Sequence, residues 1–363
     1  MNISPALSNN LNFLRWMAAL LVVIGHLRSL IFPEYAQLNN PSLWEKVFYF
    51  ITGLGHQGVI IFFVLSGFLV GGEFIKMNKS KREYFIYFIK RFSRIFTVFI
   101  PALIIGGVLD YLGMTYFNQS GIYNNAYHFS AMDYSVIDRF NVQTFISNFF
   151  MMQTSLTPTF GSNGPLWSLA NEWWYYLLFP VLYLIFNSHN TMLRLIALLF
   201  IITMLSILNY ELLLYFSVWL LGVLTFYYRK KINFPFIIYI SYFLLLIAFA
   251  ISRVNLFENN YIHDLLIAFT LIILINNLSF INSSKQYLRK FNQYFADFSY
   301  SLYLFHFPIV IFILGFTGTN NYNTSVKYIF LLLGIYIYSI ILFYIFEKNT
   351  YKIKSYILSK VGK

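Results

Sequence analysis

Long apolar stretches separated by short polar connections dominate this chain. A helix must carry about 20 predominantly apolar residues to cross the hydrocarbon core of a bilayer. The pattern predicts an all-α, polytopic transmembrane bundle of about ten spans, which fall roughly at 11–32, 50–74, 95–113, 165–186, 192–208, 212–228, 234–251, 263–281, 297–316 and 326–346. The fifth and sixth of these spans are separated only by Asn209, Tyr210 and Glu211, so the two can also form one hairpin of short helices.

Composition supports this interpretation. Hydrophobic residues make up 59% of the chain and charged residues 10%, whereas soluble domains are about 25% charged. The absence of cysteine excludes disulfides, thiolate metal sites and a cysteine nucleophile, and we expect no metal site. We predict one transmembrane domain over residues 1–363, with spans over 11–346 and a cytoplasmic tail at 347–363. The first apolar run lacks a small-residue cleavage site, so we expect it to remain as a signal anchor.

The net charge of +12 raises the question of a nucleic-acid partner. The 25 Lys and Arg residues lie in short runs between apolar stretches, as in cytoplasmic loops beside anionic lipid. This pattern indicates a membrane-lipid partner and excludes a nucleic-acid partner. With ten spans the main runs fall on one side, which predicts that both termini are cytoplasmic; these runs are residues 76–94, Arg229 to Lys231, and 285–290.

The longest connection, roughly 114–164, then lies on the outer side. Loops of this length are usually functional or disordered. Its segment 144–152 is too short to span a membrane and predicts a re-entrant or interfacial helix.

Two ionisable residues share the first span. Arg15 and His26 are eleven residues apart, close to three helical turns, so they project from nearly the same face. With the predicted orientation, Arg15 lies toward the cytoplasm and His26 in the outer half. A reaction between a cytoplasmic anionic donor and an outer acceptor needs such a cation and such an imidazole. Alternatively, Arg15 snorkels to lipid phosphates and His26 bonds a neighbouring helix.

Two further spans carry polar stripes. Helical spacing aligns Ser168, Glu172 and Tyr176 in the fourth span and Ser299, Tyr303 and His306 in the ninth. Ionisable groups inside lipid are functional candidates, although a buried ion pair and a hydrogen-bonded interhelical histidine are the alternatives.

The second span and the loop after it carry two further signals. Gly67 and Gly71 have the spacing that lets another helix approach closely. Lys90, Arg91 and Arg94 follow, and arginine forks suit phosphate groups. A purely topogenic basic loop is the alternative.

These segments together resemble the membrane O-acyltransferases of acyltransferase family 3. The similarity runs from about Leu11 to Glu347 and consists of the ordered motifs LRWMAALLVVIGH, GVIIFFVLSGFLVGG, KRFSRIF, LWSLANEWWYYLLFP and FSYSLYLFHFPI, with FEK near the end. The resemblance implies transfer of an acyl group, most often acetyl, from cytoplasmic acyl-CoA to a hydroxyl of an envelope carbohydrate. Lipopolysaccharide, capsule or another surface glycan in a bacterial inner membrane is then the expected setting. Some relatives carry a fused esterase-like domain, and from the length of 363 residues we expect a standalone form without it.

The resemblance also implies residue roles. Family members carry an Arg and a His in the first span with ten residues between them, matched by Arg15 and His26. The family's basic pair, its Ser-Gly-Phe element and its span glutamate are matched by Arg91 and Arg94, by Ser66 to Phe68, and by Glu172. This chain has Ala-Asn-Glu where many relatives have Ser-Val-Glu, which leaves the glutamate in place.

Geometry and resemblance together predict one mechanism. His26 acts as general base on an acceptor hydroxyl that attacks the thioester, and an acyl-histidine intermediate is the chemical alternative. A glycan transporter or flippase is the rival function, although no paired interrupted helices of the transporter kind are evident. The predicted catalytic residues are His26, Arg15 and Glu172; the predicted CoA contacts are Arg91, Arg94, Lys90 and Ser66; the predicted supporting residues are Tyr303, His306 and Ser299.

Overall fold

The computed structural model describes residues 3–127, 129–230, 232, 236–280, 285–318 and 324–361. Lys231 of the predicted basic runs lies outside these residues, as do the first two positions of the predicted span 234–251 and the last of 263–281.

The described residues are overwhelmingly helical, which confirms the predicted all-α class. Within these ranges, β pairing is limited to two isolated bridges. A π-helical segment, Gly67–Gly71, continues α3 into α4. The helices are α1 Pro5–Ile31, α2 Leu43–Thr52, α3 Gly55–Ser66, α4 Gly72–Lys76, α5 Lys81–Tyr116, α6 Val136–Arg139, α7 Val142–Phe149, α8 Leu166–Asn187, α9 Thr191–Ile207, α10 Tyr210–Tyr227, α11 Ile237–Arg253, α12 Asn260–Leu278, α13 Gln286–Asp297, α14 Ser299–Thr317, α15 Thr324–Ile345 and α16 Thr350–Val361.

Nine of the ten predicted spans each lie mainly on one helix, and the second, 50–74, runs from the end of α2 through α3 and the π-helical segment into α4. In the described part of the chain, seven helical segments are long and apolar enough to cross a membrane. The remaining three predicted spans match α9 and α11, which are shorter apolar helices, and α8, which is long but carries Asn, Glu and several Trp and Tyr residues. The count of ten and the cytoplasmic position of both termini stay predictions.

Polar residues at the helix starts explain where several helices begin. The side chains of Asn141, Asn190, Asn209 and Asn259 each accept a hydrogen bond from a backbone N–H in the first turn of the helix that follows. Such caps satisfy donors that have no partner within the helix. The short polar connections therefore set the helix boundaries within a largely apolar chain.

Contacts divide the chain into two compact units. The first unit comprises residues 1–18, 56–83 and 171–297, and the second comprises 19–55, 84–170 and 298–363. The single domain over residues 1–363 stays a prediction.

In the first unit, α10 packs against the π-helical segment and α11 against α12. A Cβ added at Gly67 would lie 1.9 Å from the carbonyl oxygen of Trp219, and one at Gly222 would lie 2.2 Å from that of Val64. Two backbones therefore touch at this crossing, and only glycine fits on either side. This contact confirms the close helix approach predicted from the glycine spacing at Gly67.

In the second unit, α14 packs along α15, and hydrogen bonds fasten the long connection between α5 and α8 to α5 and α14. The Asp110 carboxylate accepts from the Ser162 backbone N–H at 2.7 Å, and Asn163 donates to the Leu304 carbonyl at 3.0 Å. Gly161 has φ +59°, and a Cβ there would lie 2.1 Å from the Asp110 Oδ2 atom. The end of this connection that precedes α8 is therefore held against the helices of the second unit.

Candidate active site

The site centres on two histidines that come from helices far apart in sequence. His26 on α1 and His306 on α14 approach to 2.9 Å between His26 Nδ1 and His306 Nε2. Their rings lie nearly parallel, at 6° with centroids 5.2 Å apart. His306 is 1% exposed, whereas His26 is half-buried. The sequence predicted each histidine singly, and the structure brings the two together.

Hydrogen bonds around His306 fix which nitrogens carry protons. His306 Nδ1 lies 2.8 Å from the Tyr303 carbonyl and 3.1 Å from that of Leu302, and carbonyls only accept, so Nδ1 carries the hydrogen. In the neutral ring Nε2 then accepts. His26 Nδ1 must therefore donate to it, which leaves the lone pair of His26 on Nε2. The network thus points the basic nitrogen of His26 away from His306.

His26 lines a pocket of about 370 Å³, which we call the His26 pocket. The other lining residues come almost entirely from the long connection between α5 and α8 and from its junction with α8. They are Ala131, Tyr134, Arg139, Thr154, Pro158, Thr159, Gly164, Pro165 and Trp167. A small polar molecule can therefore reach the imidazole from this side.

Local backbone strain marks the wall of the His26 pocket. Thr154 has φ +70° and Met151 φ +59°, a region that β-branched and bulky residues rarely adopt. The Thr154 N–H donates to the Thr157 carbonyl at 2.7 Å, and Gln153 donates to the Leu166 carbonyl at 3.0 Å. Strain held by such bonds is typical of functional loops.

Arg139 provides the cation of the His26 pocket. Its guanidinium carbon lies 3.3 Å from the centroid of the Tyr134 ring, and Nη1 donates to the Thr159 hydroxyl at 3.1 Å. The Tyr134 hydroxyl in turn donates to the Ser162 carbonyl at 2.9 Å. Burial lowers the pKa of Arg139 and raises that of Tyr134. Neither residue was among the site candidates predicted from the sequence.

The other predicted supporting residues of the ninth span lie on α14 with His306, within the second unit. The Tyr303 hydroxyl lies 2.6 Å from the Ser168 hydroxyl and 2.9 Å from the Pro165 carbonyl. Since Pro165 only accepts, the Tyr303 proton is directed to it, and the Ser168 hydroxyl can donate to Tyr303. Ser299 is buried at the start of α14.

The predicted basic residues lie on α5, and one of them has a carboxylate partner. Arg94 Nη1 lies 2.8 Å from Glu347 Oε1, and Glu347 Oε2 accepts from the Ser301 backbone N–H at 3.0 Å and its hydroxyl at 2.7 Å. Arg91 stacks over the Tyr87 ring at 5.2 Å. Lys90 is half-buried on the same helix. Arg94 therefore carries a structural contact in addition to any ligand role.

The remaining predicted residues belong to the first unit. The Tyr176 hydroxyl donates to Glu172 and lies 3.1 Å from the Ser66 hydroxyl, which accepts from Trp219 Nε1 at 3.1 Å. Ser66 therefore donates to Tyr176. Arg15 is half-buried in the part of α1 that belongs to this unit.

An imidazole that is held in one tautomer and lines a polar pocket, within a bundle of apolar helices, is suited to accept a proton from a bound molecule. Residues 8–348 match the acyltransferase domain family known as Acyl_transf_3. The chain belongs to this family, which confirms the resemblance.

One curated relative is similar over part of the chain. Acyltransferase MdmB from Streptomyces mycarofaciens is 29% identical over 176 residues, which cover 48% of this chain and 38% of the relative. The match thus spans about two fifths of the relative's length. No solved structure matches this chain.

Proposed function

We propose that this protein is an O-acyltransferase of the bacterial inner membrane. It moves an acyl group, most often acetyl, from cytoplasmic acyl-CoA to a hydroxyl of an envelope carbohydrate such as lipopolysaccharide, capsule or another surface glycan. The observation that carries the proposal is the 2.9 Å contact between His26 and His306 at the His26 pocket, because it leaves a basic nitrogen beside a space for an acceptor.

The proposed reaction is general-base acyl transfer. His26 Nε2 takes the acceptor's proton as its oxygen bonds the thioester carbonyl carbon. The C–S bond then breaks, and the CoA sulfur leaves as a thiolate that takes up the proton held by His26 Nε2. His306 acts as a positioning residue that accepts from His26 Nδ1. An acyl-histidine intermediate would use the same Nε2 lone pair as nucleophile.

The remaining predicted residues have proposed roles at the donor and around the base. Arg91 and Lys90 hold CoA phosphates, with Arg94 beside them, and Arg15 meets the donor on its way to His26. Glu172 orients the acceptor or the base, and Ser66 and Tyr303 supply donors near the developing oxyanion. Each of these proposals rests on the family membership and on helix spacing.

His26→Gln tests the base. Gln keeps hydrogen-bonding capacity and approximate size but is not basic, so transfer should fall by about a hundredfold to ten-thousandfold. We would express wild type and variant in cells without the gene and measure glycan acyl groups by mass spectrometry. The matched control is His189→Gln, because His189 is exposed. A loss below about tenfold would contradict the general-base role.

Arg91→Ala tests the donor site. Since arginine forks bind phosphate, calorimetry on the detergent-purified protein should show CoA affinity falling about tenfold with little change in unfolding temperature. Arg94→Ala should instead lower the unfolding temperature, because it leaves the 2% exposed Glu347 side chain without its cation. Unchanged CoA affinity in Arg91→Ala would remove the phosphate role.

A further inference from the structure

Arg139 is a cation in the pocket shared with the proposed base, and no carboxylate among the described residues pairs with it. The half-buried guanidinium uses one face on Tyr134 and one N–H on Thr159. Guanidinium has five N–H donors and no acceptor, so most of its donors stay available to a molecule in the pocket.

Removing a charge from water without a charged partner costs free energy. The half-buried guanidinium of Arg139 carries this cost, since no described carboxylate compensates it. Tyr134 is itself anchored on the Ser162 carbonyl, so the guanidinium sits on a fixed ring and its orientation is defined. Fixed guanidinium groups recognise carboxylate and phosphate through paired hydrogen bonds. The pocket therefore has a preformed position for an anionic group on a ligand that also reaches His26.

We propose that the acceptor is an acidic sugar, with a carboxylate or phosphate held by Arg139 and a hydroxyl presented to His26 Nε2. The inference rests on the proposed function. The donor's phosphates are the other source of such an anion. We assign the anion to the acceptor because the pocket is built from the connection predicted to lie on the side opposite the basic loops. Trp167 supplies an aromatic wall for the sugar ring.

The experiment measures binding to the purified full-length protein in detergent with three defined probes. Methyl β-D-glucuronide and D-glucose 6-phosphate carry the anion, and methyl β-D-glucoside lacks it. We expect at least one anionic probe to bind about tenfold or more tighter than the glucoside, a difference of about 1.4 kcal/mol. Arg139→Gln should remove that preference and leave glucoside binding unchanged, while Arg139→Lys should keep part of it.

Arg253→Gln is the matched control, because Arg253 is exposed and does not line the pocket. Equal binding of all three probes, or binding of none, by wild type would overturn the inference without any variant. A loss of CoA affinity in Arg139→Gln with no change for the sugars would move the anion to the donor. Arg139-dependent sugar binding in a protein that transfers no acyl group would instead contradict the proposed function and, with it, the acceptor role, and would leave only the binding site for an acidic sugar.

Discussion

His306 should act on catalysis only through the tautomer of His26, and one set of substitutions can show this. His306→Asn keeps an amide that can donate to the carbonyls of Leu302 and Tyr303 but is too short to reach His26. His306→Gln extends far enough for its amide oxygen to accept from His26 Nδ1. His306→Leu removes both contacts and places an apolar side chain of similar size at a position that is 1% exposed.

The expected magnitude follows from the change of charge on His26. A hydrogen bond between neutral groups contributes about 0.5–1.5 kcal/mol, and one to a charged group about 1.5–3 kcal/mol. In the proposed step His26 passes from neutral to positively charged, so its bond to His306 strengthens by about 1–1.5 kcal/mol, or about tenfold in rate. Loss of the fixed tautomer adds to this. We expect His306→Leu and His306→Asn to lower acyl transfer about tenfold to a hundredfold.

The assay compares acyl transfer, CoA affinity and unfolding temperature for the three variants in purified protein. His306→Gln should retain more activity than His306→Asn, although the two substitutions have the same chemistry. A merely structural histidine would show the opposite order or no order, since Asn replaces its backbone contacts at least as well. All three variants should bind CoA as wild type does.

Two outcomes would refute this reasoning. Activity above half of wild type in His306→Leu would show that the orientation of His26 does not depend on the 2.9 Å contact. Equal loss in the Gln and Asn variants, with His26→Gln nearly active, would make His306 the base and His26 its partner.

Two further predictions concern the fold. Because the chain has no cysteine, single cysteines at Lys81 and Asn124 can be labelled selectively; we expect them on opposite membrane faces, and labelling from the same face would overturn the ten-span count. Gly67→Ala would place a methyl group 1.9 Å from the Trp219 carbonyl and should destabilise the protein by about 3 kcal/mol or more. Gly334→Ala, with nothing within 4 Å, should unfold at or above the wild-type temperature, and equal stability of the two variants would contradict the close packing.

Hydropathy alone predicted the helices well, because in lipid the backbone must satisfy its hydrogen bonds within each segment. Their exact starts depend on caps such as Asn141 and Asn209, which a periodicity argument does not use. Hydropathy also does not predict the π-helical segment at Gly67. This segment lies where two backbones touch, and that contact depends on tertiary packing.

The candidate site was predictable only as a set of separate residues. His26 and His306 stood out because ionisable groups are rare in spans, but their pairing depends on how α1 and α14 pack. Arg139 lies in a polar loop where a single arginine carries no signal of its own. A clue was present in its position, since that loop is unusually long for a connection between spans.

Two motifs that are far apart in the sequence contact each other within the second unit. Glu347 lies in the last motif and Arg94 in the basic one, and they pair while Glu347 accepts from the Ser301 N–H. A carboxylate at this point satisfies an unpaired donor in the first turn of α14 and complements the helix dipole. His306 lies five residues after Ser301, about 7.5 Å further along the axis of α14. The ion pair thus fixes the start of α14, the helix that holds His306. Substitution of Arg94 would therefore alter the orientation of His26 through α14 and His306, even if Arg94 never contacts CoA.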